Sequence, residues 1–154
     1  MARVSVQLKK NGFTLVEILM AAAILATALC GILLVYNSCS ALIITSKDSS
    51  VAMAAAAAKL EEIRSYNPFS NITAAYNLKT YNITGLPNAK GVIYVDSITD
   101  PSVLTINTSV CWRQGNRVIG EDQNLNGVLN TGEDTNGNGY IDSPVGLSAR
   151  MTNR

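Results

Sequence analysis

Histidine is absent from all 154 residues of the chain, which removes the commonest general base and the commonest transition-metal ligand. A basic surplus is also missing. The formal charge is +1, but Arg3, Lys9 and Lys10 all precede Gly12; without them the twelve basic residues fall to nine against eleven acidic ones, a balance of −2. A nucleic-acid partner calls for a basic face, so none is expected. Cysteine is scarce and odd in number: Cys30, Cys39 and Cys111. On one helix Cys30 and Cys39 would face opposite ways about 13 Å apart along the axis, beyond disulfide reach, while Cys39 with Cys111 stays geometrically open. Glycine and proline are both missing between Gly31 and Pro68, so nothing there interrupts a helix. No nucleophile, base and oxyanion donor can be assembled from this inventory, and a non-enzymatic protein is expected.

What is present begins with a short basic leader and an apolar run. Residues 13–36 form a stretch of 24 with Glu17 as its one charge and no proline, enough to cross a bilayer core of about 30 Å as a helix. A secretory signal would have an apolar core of about 7 to 15 residues and a small-residue cleavage site; this run is longer. Ala21, Ala22, Ala23, Ala26, Ala28 and Gly31 permit close approach of a second helix in lipid. After leader and anchor roughly 115 residues remain, one small domain. Glu17 lies one turn into the run, where a carboxylate is costly unless paired or able to reach the interface. Lys9 and Lys10 are possible partners; if the chain is cut after Gly12, so is the new α-amino group of Phe13, on the same chain or a neighbour.

Lys9, Lys10, Gly12, Phe13, Thr14, Leu15, Val16 and Glu17 together resemble the precursor motif of the type IV pilin and pseudopilin family. The resemblance implies a leader over residues 1–12, cleavage between Gly12 and Phe13 by a prepilin peptidase, N-methylation of Phe13, and packing of the helix against other pilin subunits in a filament core. It also implies that Glu17 is an assembly residue, neutralising the terminal amine of an adjacent subunit. Residues 51–64, "VAMAAAAAKLEEIR", are strongly helix-favouring, which extends the helix over residues 13–66, about 80 Å. Residues 13–36 are its membrane or filament-core half and 37–66 its soluble half. The ending "KLEEIR" is similar to the minor-pilin branch of the family, although any solvated helix end can carry such charges.

Residues 67–154 are expected to form a small β-rich head. Residues 67–77 read as an irregular loop around Pro68. Strands are predicted over 79–83, 91–97 and 103–113, separated by "GLPNAKG" and "TDPS" turns, with a final short strand over 146–152. The fold class is therefore α+β, pilin-like, with the long N-terminal helix packed on a small antiparallel sheet. Leu104, Ile106, Thr108, Val110 and Trp112 share one strand face, which makes Trp112 a core aromatic. The sequons at Asn71, Asn82 and Asn107 are assigned no role.

Residues 121–142, "EDQNLNGVLNTGEDTNGNGYID", hold five acidic residues and no basic one. Asp122, Asn124, Asn126, Gly127 and Glu133 complete the pattern D-x-[DN]-x-[DN]-G-x5-E, which sets alternate side-chain oxygens around one Ca²⁺, turns the chain at glycine and returns a carboxylate to close the shell. Twelve residues on, Asp134, Asn136, Asn138, Gly139 and Ile141 repeat the scheme, with Asp142 as a further donor. Val145 stands where the second closing carboxylate belongs. Backbone carbonyls of Val128 and Tyr140 would complete the shells. All-oxygen donors select Ca²⁺ over zinc or copper, and residues 121–145 are expected to form stand-alone, dockerin-like calcium loops with affinities of about 10⁻⁴ to 10⁻³ M.

The sequence thus points to a structural minor pilin or pseudopilin subunit of a type IV pilus or type II secretion filament. It would be a single-pass precursor in the inner membrane, then part of a periplasmic or extracellular filament, stabilised by Ca²⁺. The alternative is a calcium-dependent adhesin displayed at a pilus tip.

Overall fold

A computed structural model describes residues 12–97 and 102–153. The leader up to Asn11 and most of the "TDPS" turn lie outside the described residues. The chain divides into two compact units that meet between Ile43 and Ile44. Helix α1 runs over Leu15–Arg64. It starts two residues later than the sequence suggests because Thr14 caps it: the Glu17 N–H donates to Thr14 Oγ1 at 3.3 Å, the Ser/Thr-x-x-Glu arrangement that opens many helices. Near the other end Lys59 pairs with Glu62 and Arg64 with Glu61, each at 2.6 Å. Such exposed i,i+3 pairs contribute only a few tenths of a kcal/mol.

In the first unit α1 exposes large apolar side chains along its length. Leu15 is 77% exposed, Leu34 69% and Ile43 69%, exposure of the kind that lipid or other helices cover. The helix is long and apolar enough to cross a membrane, with a mean hydropathy of 2.7 in its most apolar window.

In the second unit Ala52, Ala56, Leu60 and Ile63 form the buried stripe of α1, spaced by three and four residues as one helix face requires. The two alanines admit close approach of the sheet: Trp112, wholly buried, packs in one cluster with them, Ile83, Leu86 and Val110. Leu60 and Ile63 pack in a second cluster with Ile72, Ile93, Val95, Leu104 and Ile106. Residues 69–76, expected as irregular loop, are a 3-10 turn at Phe69–Asn71 and a short helix α2 at Ile72–Tyr76. Their Asn, Ser and Thr content masks a helical turn held in place by the burial of Ile72.

The sheet comprises β1 Thr80–Asn82, β2 Ala89–Asp96, β3 Val103–Gln114, β4 Arg117–Ile119 and β5 Gly146–Thr152. All pairings are antiparallel. The order is β1-β2-β3, with β4 and β5 both lying along the far side of β3. β2 pairs with β3 from Ala89 opposite Trp112 to Asp96 opposite Thr105. Leu104, Ile106, Thr108, Val110 and Trp112 are all buried, on one face as the alternation predicts. The long helix packed on a small antiparallel sheet is the α+β layout the resemblance implies.

The opposite face of the sheet is covered as well. Val92, Tyr94 and Cys111 form a third cluster with Ile141, flanked by Leu125, Leu129 and Tyr140, so the acidic repeat lies over the sheet as an outer layer. This explains why β2 is buried at nearly every position, as strands covered on both faces are.

Candidate functional sites: the N-terminal motif and the acidic repeat

Phe13 is 80% exposed, and Glu17, four residues on, is exposed in the first turn of α1. Phe13 lies just ahead of the helix and lines one shallow groove with Glu17, Ile18 and Ala21, so Glu17 and Phe13 lie on one side. A carboxylate in the first turn also suits the positive end of the helix dipole. Gly12 has nothing within 4 Å of where a Cβ would stand. Packing among the described residues does not call for glycine there.

The acidic repeat is two copies of one backbone device. In the first, Asp122 accepts the N–H groups of Asn126 at 3.1 Å and Gly127 at 2.7 Å. Asn124 Oδ1 accepts the N–H of Asn126, and Asn126 Oδ1 that of Val128. In the second, Asp134 accepts the N–H groups of Gly137, Asn138 and Gly139; Asn136 Oδ1 accepts from Asn138 and Asn138 Oδ1 from Tyr140. Left-handed backbone recurs at the same two positions: Leu125 (φ 59°) and Gly127 (φ 76°), then Gly137 (φ 74°) and Gly139 (φ 80°). Gly127 is doubly required, since a Cβ would collide with the Thr80 side chain on β1.

The eighth residue of each copy points inward: Leu129 and Ile141 both join the cluster on the outer sheet face. Tyr140 holds the second copy down. Its hydroxyl donates to Asp96 Oδ2 at 2.9 Å, its ring meets Tyr94 edge to face at 4.8 Å, and the Ile141 N–H donates to the Tyr94 hydroxyl at 2.9 Å. Burial pushes the Tyr94 hydroxyl above the ordinary tyrosine range.

Glu133, the closing residue of the first copy, is 6% exposed, and Asp122 only 1%. Glu133 accepts the Gln123 N–H at 3.0 Å and the Asn130 N–H at 2.9 Å, with the Asn130 side-chain amide at 3.0 Å. Burial pushes its carboxyl up, but these donors together outweigh burial and hold it below the ordinary glutamate range. Among the described residues no lysine or arginine lies within ion-pair distance of Asp122 or Glu133.

Two residues outside the motif take part. Asn130 supports Glu133 as above, and Glu121, one residue before the first copy, accepts the N–H groups of Thr135 at 3.1 Å and Asp142 at 3.0 Å. Asp142 accepts the side-chain amides of Asn136 at 2.6 Å and Asn138 at 2.7 Å. Val145 is buried beside Trp112 in the helix-side core, away from the second copy. Motif matching could not find Glu121, because it lies thirteen residues ahead of the loop it contacts.

Among the described residues no three His, Cys, Asp or Glu side chains converge as a metal cage; the donors in each copy are mixed carboxylate and asparagine oxygens. A carboxylate that accepts backbone N–H groups keeps further lone pairs, and an all-oxygen donor set matches a hard cation. All three cysteines are free thiols. Cys111 lies under the repeat, 3.8 Å from the Asp142 carbonyl.

Residues 7–33 match the prokaryotic N-terminal methylation motif. No curated protein and no solved structure matches the chain. The methylation motif, the apolar helix and the helix-on-sheet head are together consistent with a pilin-like or pseudopilin-like structural subunit.

Proposed function

We propose that the chain is a minor pilin or pseudopilin: a precursor anchored in the inner membrane by α1, cleaved between Gly12 and Phe13 by a prepilin peptidase, N-methylated at Phe13, and drawn into a type IV pilus or type II secretion filament. The observation that carries this is the methylation motif at residues 7–33 running directly into a helix long and apolar enough to span a membrane. In the filament Glu17 neutralises the terminal amine of a neighbouring subunit. The repeat at residues 121–142 binds Ca²⁺ through Asp122, Asn124, Asn126, the Val128 carbonyl and Glu133, and through Asp134, Asn136, Asn138, the Tyr140 carbonyl and Asp142. Calcium here stabilises the head. Support for that role over an adhesive one comes from the inward packing of Leu129 and Ile141: the repeat seals a sheet face.

Co-expression with a prepilin peptidase tests the assignment. Mass spectrometry should find the mature chain starting at a methylated Phe13, and Gly12→Val should leave the precursor intact. A mature N-terminus elsewhere would overturn the proposal.

A further inference from the structure

A cleft of about 450 Å³ opens at the end of the sheet where the β1–β2 connection, residues 83–88, leaves it, a size ordinary for small-ligand sites. Ile83, Leu86 and Pro87 give it an apolar wall, and Asn124 and Leu125 of the acidic repeat also line it. Two cations, Lys90 and Arg113, line the cleft and no acidic residue does.

Both cations belong to the outer sheet face. Lys90 stands opposite Asn82 on β1 and Cys111 on β3. Cys111 packs in the outer cluster, and Arg113 lies two residues further along β3, on the same face. Lys90 Nζ donates to Asn82 Oδ1 at 2.7 Å, which fixes the ammonium and leaves it further N–H donors. Its stem lies against the repeat, with Cγ 3.5 Å from where a Cβ at Gly127 would stand. The Arg113 backbone N–H donates to the Asn88 carbonyl at 3.1 Å, so the strand that carries the guanidinium is anchored to the cleft wall. Among the described residues neither cation is in an ion pair, although residues 13–154 hold eleven acidic residues against nine basic ones. Like charges within reach across neighbouring strands oppose one another, yet a chain rich in carboxylates leaves this pair without one.

We propose that the cleft binds a small hydroxylated anion, a sugar that carries a carboxylate or phosphate group. Arg113 meets the anionic group with the planar fork that matches both chemistries, and Lys90 adds a point charge beside it. Asn82, Asn88 and Asn124 face the hydroxyls. The side-chain oxygens of Asn82 and Asn124 are used within the fold, by Lys90 and by the Asn126 N–H, which leaves their amide N–H groups as donors. The site is independent of the filament and calcium readings and requires neither.

The test is titration calorimetry on the full-length chain in detergent, at low salt and in chelator, with galacturonate, glucose 6-phosphate, glucose and inorganic phosphate as probes. One of the acidic sugars should bind at least about tenfold more tightly than glucose or inorganic phosphate, and which one does so identifies the anionic group. Arg113→Gln and Lys90→Gln should each weaken that binding by about tenfold or more, as loss of a charge-assisted hydrogen bond does. Arg150→Gln, an equal charge change on β5, should leave it unaltered. If a glutamine variant melts below the wild type, Arg113→Lys replaces it: this keeps the charge without the fork, and undiminished binding overturns the assignment. Acidic sugars that bind no better than glucose overturn the proposal, as does equal binding of inorganic phosphate, which would leave the hydroxyls without a role. Equal weakening by Arg150→Gln also overturns it, because the attraction would then belong to the net charge and not to the cleft.

Discussion

The ring of Tyr81 lies over Gly91, its direct partner across β1 and β2. Tyr81 is pinned from three sides. Its hydroxyl donates to Thr108 Oγ1 on β3 at 2.9 Å, Thr108 passes the chain on to the Val92 carbonyl at 2.9 Å, and Lys59 Nζ from α1 stands 5.3 Å from the ring centre. Burial pushes the Tyr81 hydroxyl above its ordinary range, as expected of a phenol held neutral inside the head.

A side chain at Gly91 would occupy the space of that ring. Gly91→Ala should destabilise the head by about 1 to 3 kcal/mol, whereas Tyr81→Phe, which removes one hydrogen bond and keeps the packing, should cost about 0.5 to 1.5 kcal/mol. Thermal melts of both variants check the order. Equal melting of Gly91→Ala and wild type would mean that the ring does not sit over the glycine.

The buried carboxylate of Asp122 should show two separable effects. Asp122→Ala strands the N–H groups of Asn126 and Gly127, so it should lower the melting temperature even in chelator, at about 1 to 3 kcal/mol per unsatisfied group. It should also abolish the first site's share of calcium stabilisation, about 1.4 kcal/mol when Ca²⁺ stands at ten times Kd. Melting curves in chelator and in millimolar Ca²⁺ separate the two, and identical wild-type curves under both conditions would refute calcium stabilisation.

Glu17→Val should leave membrane insertion intact, since it removes the one charge from an apolar span, yet reduce incorporation into filaments. Fractionation of membranes against sheared filaments reads both. Wild-type incorporation of the variant would exclude a pairing role and leave Glu17 as a residue of the helix start, consistent with its place beside the Thr14 cap.

Cys111 should resist alkylation while the head is folded. It is 1% exposed and burial pushes its thiol up to about 11, so at pH 8 little thiolate exists to react. In a Cys30→Ser, Cys39→Ser background, maleimide should label the chain only after denaturant is added. Rapid labelling of the native protein would show that the repeat does not cover the outer sheet face.

Regularity decided which parts of this fold could be read in advance. β3 is legible almost residue for residue, because alternate positions from Leu104 to Trp112 are apolar or small and a strand has period two. β4, three residues long, has no period to detect and exists by pairing with the end of β3. The helical turns over Phe69–Tyr76 were hidden by Asn, Ser and Thr, which favour loops when nothing packs against them. The metal-type spacing of the repeat was visible, but not its position as a lid on the sheet.

The order of amino acids alone was sufficient for whatever depends on neighbours along the chain: the N-terminal methylation motif, the uninterrupted helix, the alternating strand, and the twelve-residue recurrence of Asp, Asn and Gly. Folding in three dimensions was needed for whatever depends on distant segments meeting. It put Leu129 and Ile141 against Val92 and Tyr94, drew Val145 into the core beside Trp112, and laid Glu121 across the second loop. The physical reason is that a carboxylate binds whichever N–H groups the folded backbone brings within about 3 Å of it, and separation along the chain does not enter that distance.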